Sequence, residues 1–358
     1  MFPQNVIAVI WDFDHTLIPG YMEDPILEAY GIEPRHFWQE VFDLRNKLTE
    51  LHPDVRIAPD SLYLNHLLSY VASGRLPGLS NQRLRDLGRK LQFYPGMPEF
   101  LGQLKEKVAS EPRWAKYRVE LEYYIVSNGL RQTILGSAVA PWVTGVWACE
   151  FLEVWPLPGL GTMPEDQQEP RTIRQVGYVV DHTTKTRALF EINKGSNVHP
   201  EIDVNASLPE AERRIPFANM IYIADGPSDI PMFSILNRNG GKTFAVYNPN
   251  HLEEFHQNYE LQRQGRVQGF GPADYRPGSH TALWIEHSVE LIADAIVDRL
   301  EQRLFSHVGL PPRHITTTDN LTLPEVDPAR NGNVLGDTVT SSLLRVPQDG
   351  QAGEQAVR

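Results

Sequence analysis

The stretch VIAVIWDFDHTL at residues 6–17 joins six consecutive apolar residues to two carboxylates that stand one residue apart. The apolar run, Val6 to Trp11, has no polar alternation, which is typical of a central parallel strand covered on both faces. Such a strand must be followed by a polar segment. Because that segment holds Asp12 and Asp14 rather than a Gly or Asn turn, we interpret the strand as one that delivers two acids to a site.

At 358 residues the chain is long enough for one large α/β domain or for a core with an accessory domain. Four further apolar segments have the pattern of strands, at residues 120–129, 174–183, 219–226 and 242–248. Helical patterns separate most of them, and strands that alternate with helices imply crossover connections. We therefore predict an α/β fold with a doubly wound, mainly parallel sheet.

A long interval without strand-like runs separates the first predicted strand from the second. It spans roughly a hundred residues, far more than one crossover helix needs. It contains helical patterns at residues 33–51, 59–73 and 80–93. We interpret residues 19–93 as a helical cap inserted into a catalytic core, which would then be formed by residues 1–18 and 94–309.

Three segments in the second half of the chain have patterns of their own. Gly and Pro between two strand-like runs at residues 150–180 predict a hairpin with a long loop. Apolar residues at spacings of three and four over residues 281–306 predict a helix that packs one face on the core. Residues 310–358 are polar and lack periodicity, so we predict a disordered tail.

The charge and the apolar content argue against several classes of protein. With 33 basic and 45 acidic residues the formal net charge is -12, a field that repels polyanions and disfavours a nucleic-acid partner. A phosphorylated small molecule remains acceptable, because a single phosphate responds to local donors. No stretch approaches the roughly 18 apolar residues of a membrane helix, and no signal-like segment begins the chain. We expect a cytoplasmic protein without a membrane partner.

Three of the predicted strands end in residues that can carry chemistry. They are Asp12 and Asp14 after the first strand, Ser127 and Asn128 after the second, and Asp225 and Asp229 after the fourth. The ends of adjacent strands in an open parallel sheet meet at one crevice outside the carboxyl edge. We therefore expect these residues to converge, although they are far apart in the sequence.

Each of these residue types suits the transfer of a phosphoryl group. A carboxylate can attack phosphorus and form an acyl phosphate, and a second carboxyl group can protonate the leaving oxygen and later deprotonate water. Carboxylate oxygens of Asp12 and Asp225, with a backbone carbonyl and waters, suit the octahedral shell of Mg²⁺. The Ser127 hydroxyl and the amides of a turn at Asn128 and Gly129 can hold phosphoryl oxygens, while a lysine neutralises developing charge.

The segments DFDHT, VSNG and ADGPSD each follow a predicted strand, and a lysine opens a predicted helix. Together they resemble the four motifs of the haloacid dehalogenase-like (HAD) phosphohydrolase superfamily, and the resemblance covers about residues 5–250. The cap directly after the first motif is similar to that of the phosphoserine-phosphatase-like branch. The resemblance implies a HAD-like core, Mg²⁺ as cofactor and a small phosphorylated metabolite as substrate.

The resemblance also implies roles for individual residues. Asp12 would be the nucleophile, Asp14 the acid and base, and Asp225 a Mg²⁺ ligand, with Asp229 a further ligand or a support for one. The metal set that it implies is Asp12, Asp14, Asp225 and Asp229. The phosphate-binding set is Ser127, Asn128, Gly129 and Lys185, of which Ser127 and Lys185 also count as catalytic.

The segment TTKTRALFEINKGSN offers two candidates for the motif lysine, Lys185 and Lys194. A cap at Thr183 or Thr184 predicts a helix that begins beside Lys185 and ends where Gly195 follows Lys194. Nine residues of helix would separate the two lysines by roughly 13 Å. The alternative is a helix that opens at Gly195. The polar run after it makes that helix less favourable, so we favour Lys185.

Four residues of the predicted cap are candidates for substrate contacts: Trp38, Arg45, His52 and Tyr63. His182 stands beside the motif lysine, where we favour a surface role over a catalytic one. We predict a Mg²⁺-dependent phosphatase that hydrolyses a small-molecule phosphomonoester through an aspartyl-phosphate. The alternatives are a phosphotransferase or phosphomutase on the same fold and a non-catalytic binding protein, while a dehalogenase is disfavoured because it needs no acid at Asp14.

Overall fold

The computed structural model describes residues 2–154 and 171–307, with side chains as far as residue 304. Most of the loop of the predicted hairpin, residues 155–170, and the predicted tail, residues 310–358, lie outside the described residues. Among the described helices, none combines the length and the apolar character that crossing a membrane requires.

Seven strands form one sheet in the described part of the chain. In chain order they are β1 (Val6–Trp11), β2 (Glu120–Leu130), β3 (Gly145–Leu152), β4 (Gln175–Tyr178), β5 (Met220–Ala224), β6 (Lys242–Tyr247) and β7 (Gly269–Pro272). The sheet order is β4-β3-β2-β1-β5-β6-β7, and neighbouring strands are parallel except for the antiparallel pair of β3 and β4. The predicted mainly parallel sheet is confirmed, and the two strands of the predicted hairpin pair with each other.

Helices without strands fill the interval between β1 and β2. They are α1 (Asp24–Glu28), α2 (Pro34–Leu51), α3 (Pro59–Ala72), α4 (Asn81–Gly88), α5 (Glu99–Ser110) and α6 (Pro112–Lys116). The helices α2 and α3 lie where the sequence predicts them. The helix α4 ends earlier than predicted, because the chain turns after Gly88 and buries Leu91 in the core.

The remaining helices lie beyond β2 along the chain. They are α7 (Arg131–Gly136), α8 (Lys185–Lys194), α9 (Ile230–Arg238), α10 (Leu252–Arg263) and α11 (His280–His307). The predicted packing of α11 on the core is confirmed, since Ile285 and Ile296 on this helix are fully buried.

Two apolar layers cover the two faces of the sheet, as expected for a doubly wound fold. The strand β1 lies between β2 and β5, and none of its residues is more than 7% exposed. Its odd-numbered side chains pack in one layer with residues of α5 and α11. Its even-numbered side chains pack in the other layer with residues of α8 and α9. The segment that follows β1 is therefore held at the centre of the carboxyl edge.

The helix α4 packs closely against α7, and two glycines allow this approach. A Cβ atom at Gly88 would lie 2.0 Å from the carbonyl oxygen of Thr133, and one at Gly136 would lie 1.9 Å from that of Arg85. Any side chain at either position would push the two helices apart. The contact ties α4, the last helix of the predicted cap, to the helix that follows β2.

Two strands differ from the sequence-based expectation. The strand β7 has no counterpart among the predicted strands, because its sequence GFGP contains two glycines and a proline, which are uncommon in strand interiors. It is the edge strand beside β6. The strand β3 begins at Gly145, ahead of the predicted hairpin, and its side chains alternate imperfectly between buried and partly exposed positions.

Candidate active site

Three carboxylates converge at the carboxyl ends of β1 and β5. Asp12 directly follows β1, and its backbone N–H donates to the carbonyl oxygen of Ile223 in β5 at 2.9 Å. Asp225 directly follows β5, and Asp229 ends the 3₁₀ turn Pro227–Asp229 that comes next. One carboxylate oxygen of each aspartate lies within 4.8 Å of the other two. The fold thus brings together three residues that the sequence places after two different strands.

Lys185, the first residue of α8, lies against these carboxylates with 1% of its side chain exposed. Its Nζ lies 3.1 Å from Oδ1 of Asp12 and 2.7 Å from Oδ1 of Asp229. Burial disfavours the charged ammonium, but Asp12 and Asp229 outweigh that effect and raise the pKa of Lys185 above its ordinary value. A buried, charged ammonium therefore bridges two of the three carboxylates.

Both carboxylate oxygens of the fully buried Asp229 accept hydrogen bonds. The hydroxyl of Tyr222 donates to Oδ1, which also accepts from Lys185, and the hydroxyl of Ser228 donates to Oδ2 at 2.7 Å. Each carboxylate oxygen can accept about two such bonds. Oδ1 is therefore saturated, and Oδ2 keeps room for one further partner.

The charges of this cluster are unbalanced, since three carboxylates face one ammonium. Burial raises the pKa of Asp12 to about 7, with Lys185 acting against the rise and Asp229 adding to it. Burial, and then Asp12 and Asp229, raise the pKa of Asp225 well above its ordinary value. A divalent cation held by oxygen ligands would relieve this repulsion. The donor set contains carboxylate oxygens alone, which fits Mg²⁺ better than a metal that prefers sulfur or imidazole.

The Asp14 side chain lies outside the three-carboxylate cluster, although the implied metal set includes this residue. Its Oδ1 accepts the backbone N–H of Met22 at 2.8 Å. Burial raises the pKa of Asp14 well above its ordinary value, and the charges of Glu23 and Asp12 raise it further. A carboxyl group in this environment holds its proton more strongly than a solvated one, which suits a proton donor.

The regular pairing of β2 with β3 is interrupted near the end of β2, at residues Ser127, Asn128 and Gly129. The register between β2 and β3 shifts between Val126 and Leu130, a bulge that releases these three residues from regular pairing. The backbone N–H of Gly129 donates to Oγ of Ser127 at 3.0 Å. All three residues line the same cleft as Asp12 and Asp14.

The side chain of Asn128 is engaged by other protein groups. Its Nδ2 donates to Oδ1 of Asp60 and to the carbonyl oxygen of Val180, each at 3.0 Å. The backbone carbonyl oxygen of Asn128 accepts a hydrogen bond from the hydroxyl of Tyr63 at 2.7 Å. Asp60 and Tyr63 belong to α3, so this loop is tied to the predicted cap. A phosphate-binding role for Asn128 would therefore rest on its backbone N–H.

The helix α8 begins at Lys185 and ends at Lys194, as predicted, and Gly195 after it has a φ of 87°. The Nζ of Lys194 donates to the carbonyl oxygens of Val204 and Ala206, both at 2.6 Å. Of the two candidate lysines, Lys185 is the one that contacts the carboxylate cluster.

The predicted threonine cap of this helix is wrong. Thr184 occupies the capping position, but its side chain makes no capping hydrogen bond. Instead, Oδ1 of Asp181 accepts the backbone N–H of Thr184 at 2.6 Å, the backbone N–H of Thr183 at 2.9 Å and the hydroxyl of Thr184. The hydrogen bonds from Thr184, and less strongly that from Thr183, lower the pKa of Asp181. An aspartate satisfies free N–H groups as a threonine does and adds a favourable charge.

The strand ends open onto a cleft of about 790 Å³, which residues of α2 and α3 also line. Of the four predicted substrate contacts in the cap, Trp38, Arg45 and Tyr63 line this cleft, whereas His52 is not among its lining residues. His182, for which the sequence favours a surface role, lines the cleft as well. Lys185 is buried behind the lining, in contact with Asp12.

Sequence reasoning missed several residues of the cleft: Tyr21, Glu23, Arg35, Phe42 and Asp60. Glu23 is the most unusual, because it is 2% exposed and its Oε1 has no hydrogen-bond partner among the described residues. Burial raises the pKa of Glu23 to about 8. Its position just ahead of α1 is typical of an exposed helix-start residue, so the sequence carries no signal of its burial.

Comparisons with known proteins find similarity at the level of sequence and of fold. No protein-family model matches the chain. An uncharacterized protein of Borreliella burgdorferi is 37% identical over 289 residues, which make up 80% of this chain and 97% of that protein.

Three solved structures illustrate the similarity in fold. A HAD family hydrolase from Salmonella enterica serovar Typhi is 12% identical, with a TM-score of 0.44 over 75% of this chain and 68% of that one. A probable phosphoserine phosphatase from Vibrio cholerae is 14% identical, with a TM-score of 0.44 over 82% and 68%. A phosphoserine phosphatase with an analogue of its phospho-aspartyl intermediate is 13% identical, with a TM-score of 0.40 over 74% and 92%.

Proposed function

We propose that this chain, which belongs to the same family as the uncharacterized Borreliella burgdorferi protein, is a Mg²⁺-dependent phosphatase of the HAD type. It would hydrolyse a small-molecule phosphomonoester through an aspartyl-phosphate. One observation carries the proposal: oxygens of Asp12, Asp225 and Asp229 lie within 4.8 Å of one another, and the Nζ of Lys185 contacts two of these residues. The cluster lies at the carboxyl edge of a parallel sheet, where open α/β folds bind their ligands.

Asp12, Asp225 and the remaining acceptor position of Asp229 would hold the metal. When bound, Mg²⁺ supplies positive charge that allows an anionic carboxylate to approach an anionic phosphate. The metal role implied for Asp14 would fall to its backbone carbonyl, because its carboxylate faces Met22.

In the first step, a carboxylate oxygen of Asp12 attacks the phosphorus of the ester. The bond between phosphorus and the leaving oxygen breaks, and the carboxyl group of Asp14 donates its proton to that oxygen. The raised pKa of Asp14 supports this role, because the group must be protonated before the attack. The products of the step are the free alcohol and a phosphoryl group on Asp12.

In the second step, the carboxylate of Asp14 takes a proton from a water molecule. The water oxygen attacks phosphorus, and the bond between phosphorus and the Asp12 oxygen breaks. This releases inorganic phosphate and restores the Asp12 carboxylate. The charged Lys185 balances the negative charge that develops on the phosphoryl oxygens, and the hydroxyl of Ser127 holds one of them.

The position of α2 and α3 along the cleft supports the division of the chain into a core and a cap. In this proposal residues 19–93 cover the site, and residues 1–18 and 94–309 form the core that carries the reacting groups. The hydrogen bonds from Asn128 to Asp60 and from Tyr63 to Asn128 would join the two parts beside the phosphate.

The test is the release of phosphate from 4-nitrophenyl phosphate by the purified full-length chain. We expect activity with Mg²⁺, none after exhaustive chelation by EDTA, and none in Asp12→Asn. The matched control is Asp54→Asn, which makes the same chemical change at an exposed position and should behave as the parent. Chelation-resistant activity, or an active Asp12→Asn variant, would overturn the proposal.

A trapping experiment addresses the covalent step. Acid quenching during turnover, followed by borohydride reduction and peptide mass spectrometry, should convert a phosphorylated Asp12 to homoserine. An alcohol added as a second acceptor separates hydrolysis from phosphotransfer, since a transferase would form a new phosphate ester. Absence of the reduced residue from an actively turning-over sample would contradict the covalent mechanism.

A further inference from the structure

One face of α2 lines the cleft with two arginines and two aromatic residues. These are Arg35, Trp38, Phe42 and Arg45, at successive spacings of three, four and three residues. Such spacings place side chains on one face of a helix. The helix therefore presents a surface with a positive charge at each end and aromatic rings between them.

The aromatic part of this surface reaches from α2 back to the segment that follows β1. The ring centroid of Trp38 lies 5.1 Å from that of Tyr21, which in turn lies 4.7 Å from the ring of His15. His15 directly follows Asp14, the proposed acid. The Trp38 ring is held by a hydrogen bond from its Nε1 to Oδ1 of Asp24, at 3.1 Å. A group attached to the phosphate can therefore follow a continuous row of rings away from the site.

Phe42 lies about one helical turn beyond Trp38, lines the same cleft and is 58% exposed. A large apolar ring left in water at the wall of a cleft is typical of a ligand surface rather than of a core. By contrast, Phe37 on the opposite side of the same helix is fully buried. The sequence of α2 thus supplies one aromatic residue to the core and leaves another facing the cleft.

The two arginines of this surface are exposed, and within the described residues neither guanidinium forms an ion pair. Some exposed arginines of the chain form ion pairs within their own helices, as Arg187 does with Glu191 and Arg263 with Glu260. Arg35 and Arg45 have no such partner in the described part of the chain and line the cleft, so both are available to an anionic ligand. Ten residues of helix separate them by roughly 15 Å.

We propose that the phosphomonoester taken by this site has an aromatic ring in its leaving group and a second negative charge bound by the arginines of α2. The inference rests on the proposed function. A leaving group of a few atoms would leave the aromatic row uncovered, whereas a cleft of about 790 Å³ is of the size that larger ligands fill. The arginines that line the cleft both belong to α2, so a second anion would bind at the α2 side.

The second anion is a carboxylate or a phosphate group, because arginine binds either one through two parallel hydrogen bonds.

Four esters of primary alcohols test the idea at matched leaving-group reactivity. They are ethyl phosphate, 2-(2-naphthyl)ethyl phosphate, and the same naphthyl ester with a 6-carboxylate or a 6-phosphonate. We expect kcat/KM to rise by about tenfold with the ring and by about tenfold again with the preferred anion. These increases are modest because the contacts form at an open cleft. The better of the two anionic esters identifies the anion.

Variants of α2 then assign the effect to its residues. Arg45→Gln should lower the ratio of kcat/KM between the anionic and the plain naphthyl ester by about tenfold, and Arg35→Gln should also lower it. Lys47→Gln removes a charge from the same helix outside the cleft lining and should leave the ratio unchanged. Phe42→Ala should lower the ratio between the naphthyl and the ethyl ester. Leu51→Ala, which shortens another exposed apolar side chain of α2, should leave that ratio unchanged.

Failure of this inference differs from failure of the proposed function. If the parent hydrolyses all four esters with equal kcat/KM and Asp12→Asn hydrolyses none, the site is a phosphatase and the substrate class is wrong. If Arg45→Gln and Lys47→Gln lower the ratio of kcat/KM between the anionic and the plain naphthyl ester equally, the arginine acts only through the overall charge of the helix. That result would overturn the assigned contact. If no ester is hydrolysed in the presence of Mg²⁺, the proposed function and this inference fall together.

Discussion

The ammonium of Lys185 lies 3.1 Å from the carboxylate of Asp12, so the first residue of α8 and the first residue after β1 form a buried ion pair. The two side chains are 1% and 8% exposed. Removal of one partner from a buried pair leaves the other charge without compensation, which costs more than the pair itself contributes. The relationship therefore links the stability of the fold to the proposed chemistry.

Substitution of Lys185 should affect both stability and turnover. We expect Lys185→Met to lower the free energy of unfolding by about 3–5 kcal/mol, because Asp12 and Asp229 lose their shared cation. Turnover should fall by roughly three orders of magnitude or more, since charge on the phosphoryl oxygens is no longer balanced. Lys194→Met is the matched control and should keep turnover within a few-fold of the parent. Urea unfolding and steady-state kcat measure the two effects, and the reverse ranking of the two variants in kcat would refute the assignment.

The hydroxyl of Tyr222 gives a second test of how Asp229 is held. Tyr222→Phe removes one donor from a buried, charged acceptor, so we expect a loss of about 1.5–3 kcal/mol in the free energy of unfolding. Tyr123→Phe is the matched control, because the hydroxyl of Tyr123 donates to the neutral carbonyl of Leu101. Its loss should be smaller, about 0.5–1.5 kcal/mol. Equal losses in the two variants would show that the acceptor at Tyr222 carries no charge.

The central part of the fold could be predicted because its signals are local. The run before Asp12 has no polar residue, and burial on both faces of a central parallel strand demands that pattern. The same holds for the end of α8, where Gly195 in a left-handed conformation marks the boundary. The edge strand β7 could not be predicted, since its pairing with β6 depends on tertiary packing and overrides the weak preference of glycine and proline.

The candidate site could be predicted only in part, for a related reason. Strand ends place Asp12 and Asp225 at one edge whatever the loops do, so the sequence was enough to bring them together. The burial of Glu23 and the cleft-facing ring of Phe42 depend on how the helices of residues 19–93 pack. The cap of α8 could not be predicted because Asp181 and the two threonines are all good capping residues. In the structure the carboxylate of Asp181 accepts the capping hydrogen bond.

Glu23 should make the stability of the fold depend on pH. Burial raises its pKa from the ordinary value of 4.5 to about 8, so between these values the folded chain keeps a proton that the unfolded chain releases. The stability that this group contributes is full below pH 4.5 and is lost as the pH rises towards 8. The free energy of unfolding of Glu23→Gln should therefore decrease less than that of the parent as the pH rises over this range. The difference between the two decreases should be on the order of a few kcal/mol.

Urea unfolding in EDTA at pH 5 and pH 8 measures this dependence, with chelation removing any effect of bound metal. The control is Glu28→Gln, which makes the same change at an exposed position of α1 and should retain the slope of the parent. If Glu23→Gln has the same slope of unfolding free energy against pH as the parent, other groups set the pH dependence.

Asp225 provides the test that separates a metal ligand from a structural acid. Without metal, three carboxylates face one ammonium in a buried cluster, and Asp12 and Asp229 add to the rise that burial produces in the pKa of Asp225. Asp225→Asn removes one of these charges at almost constant volume, so in EDTA the variant should be at least as stable as the parent. With Mg²⁺ at a hundred times its dissociation constant, the parent should gain about 2.7 kcal/mol in the free energy of unfolding, whereas the variant should gain far less.

Urea unfolding with and without Mg²⁺ measures both effects, and Asp54→Asn should gain as much as the parent. If Asp225→Asn were less stable than the parent in EDTA and gained equally from Mg²⁺, the carboxylate would be a structural group and the metal would have to bind elsewhere.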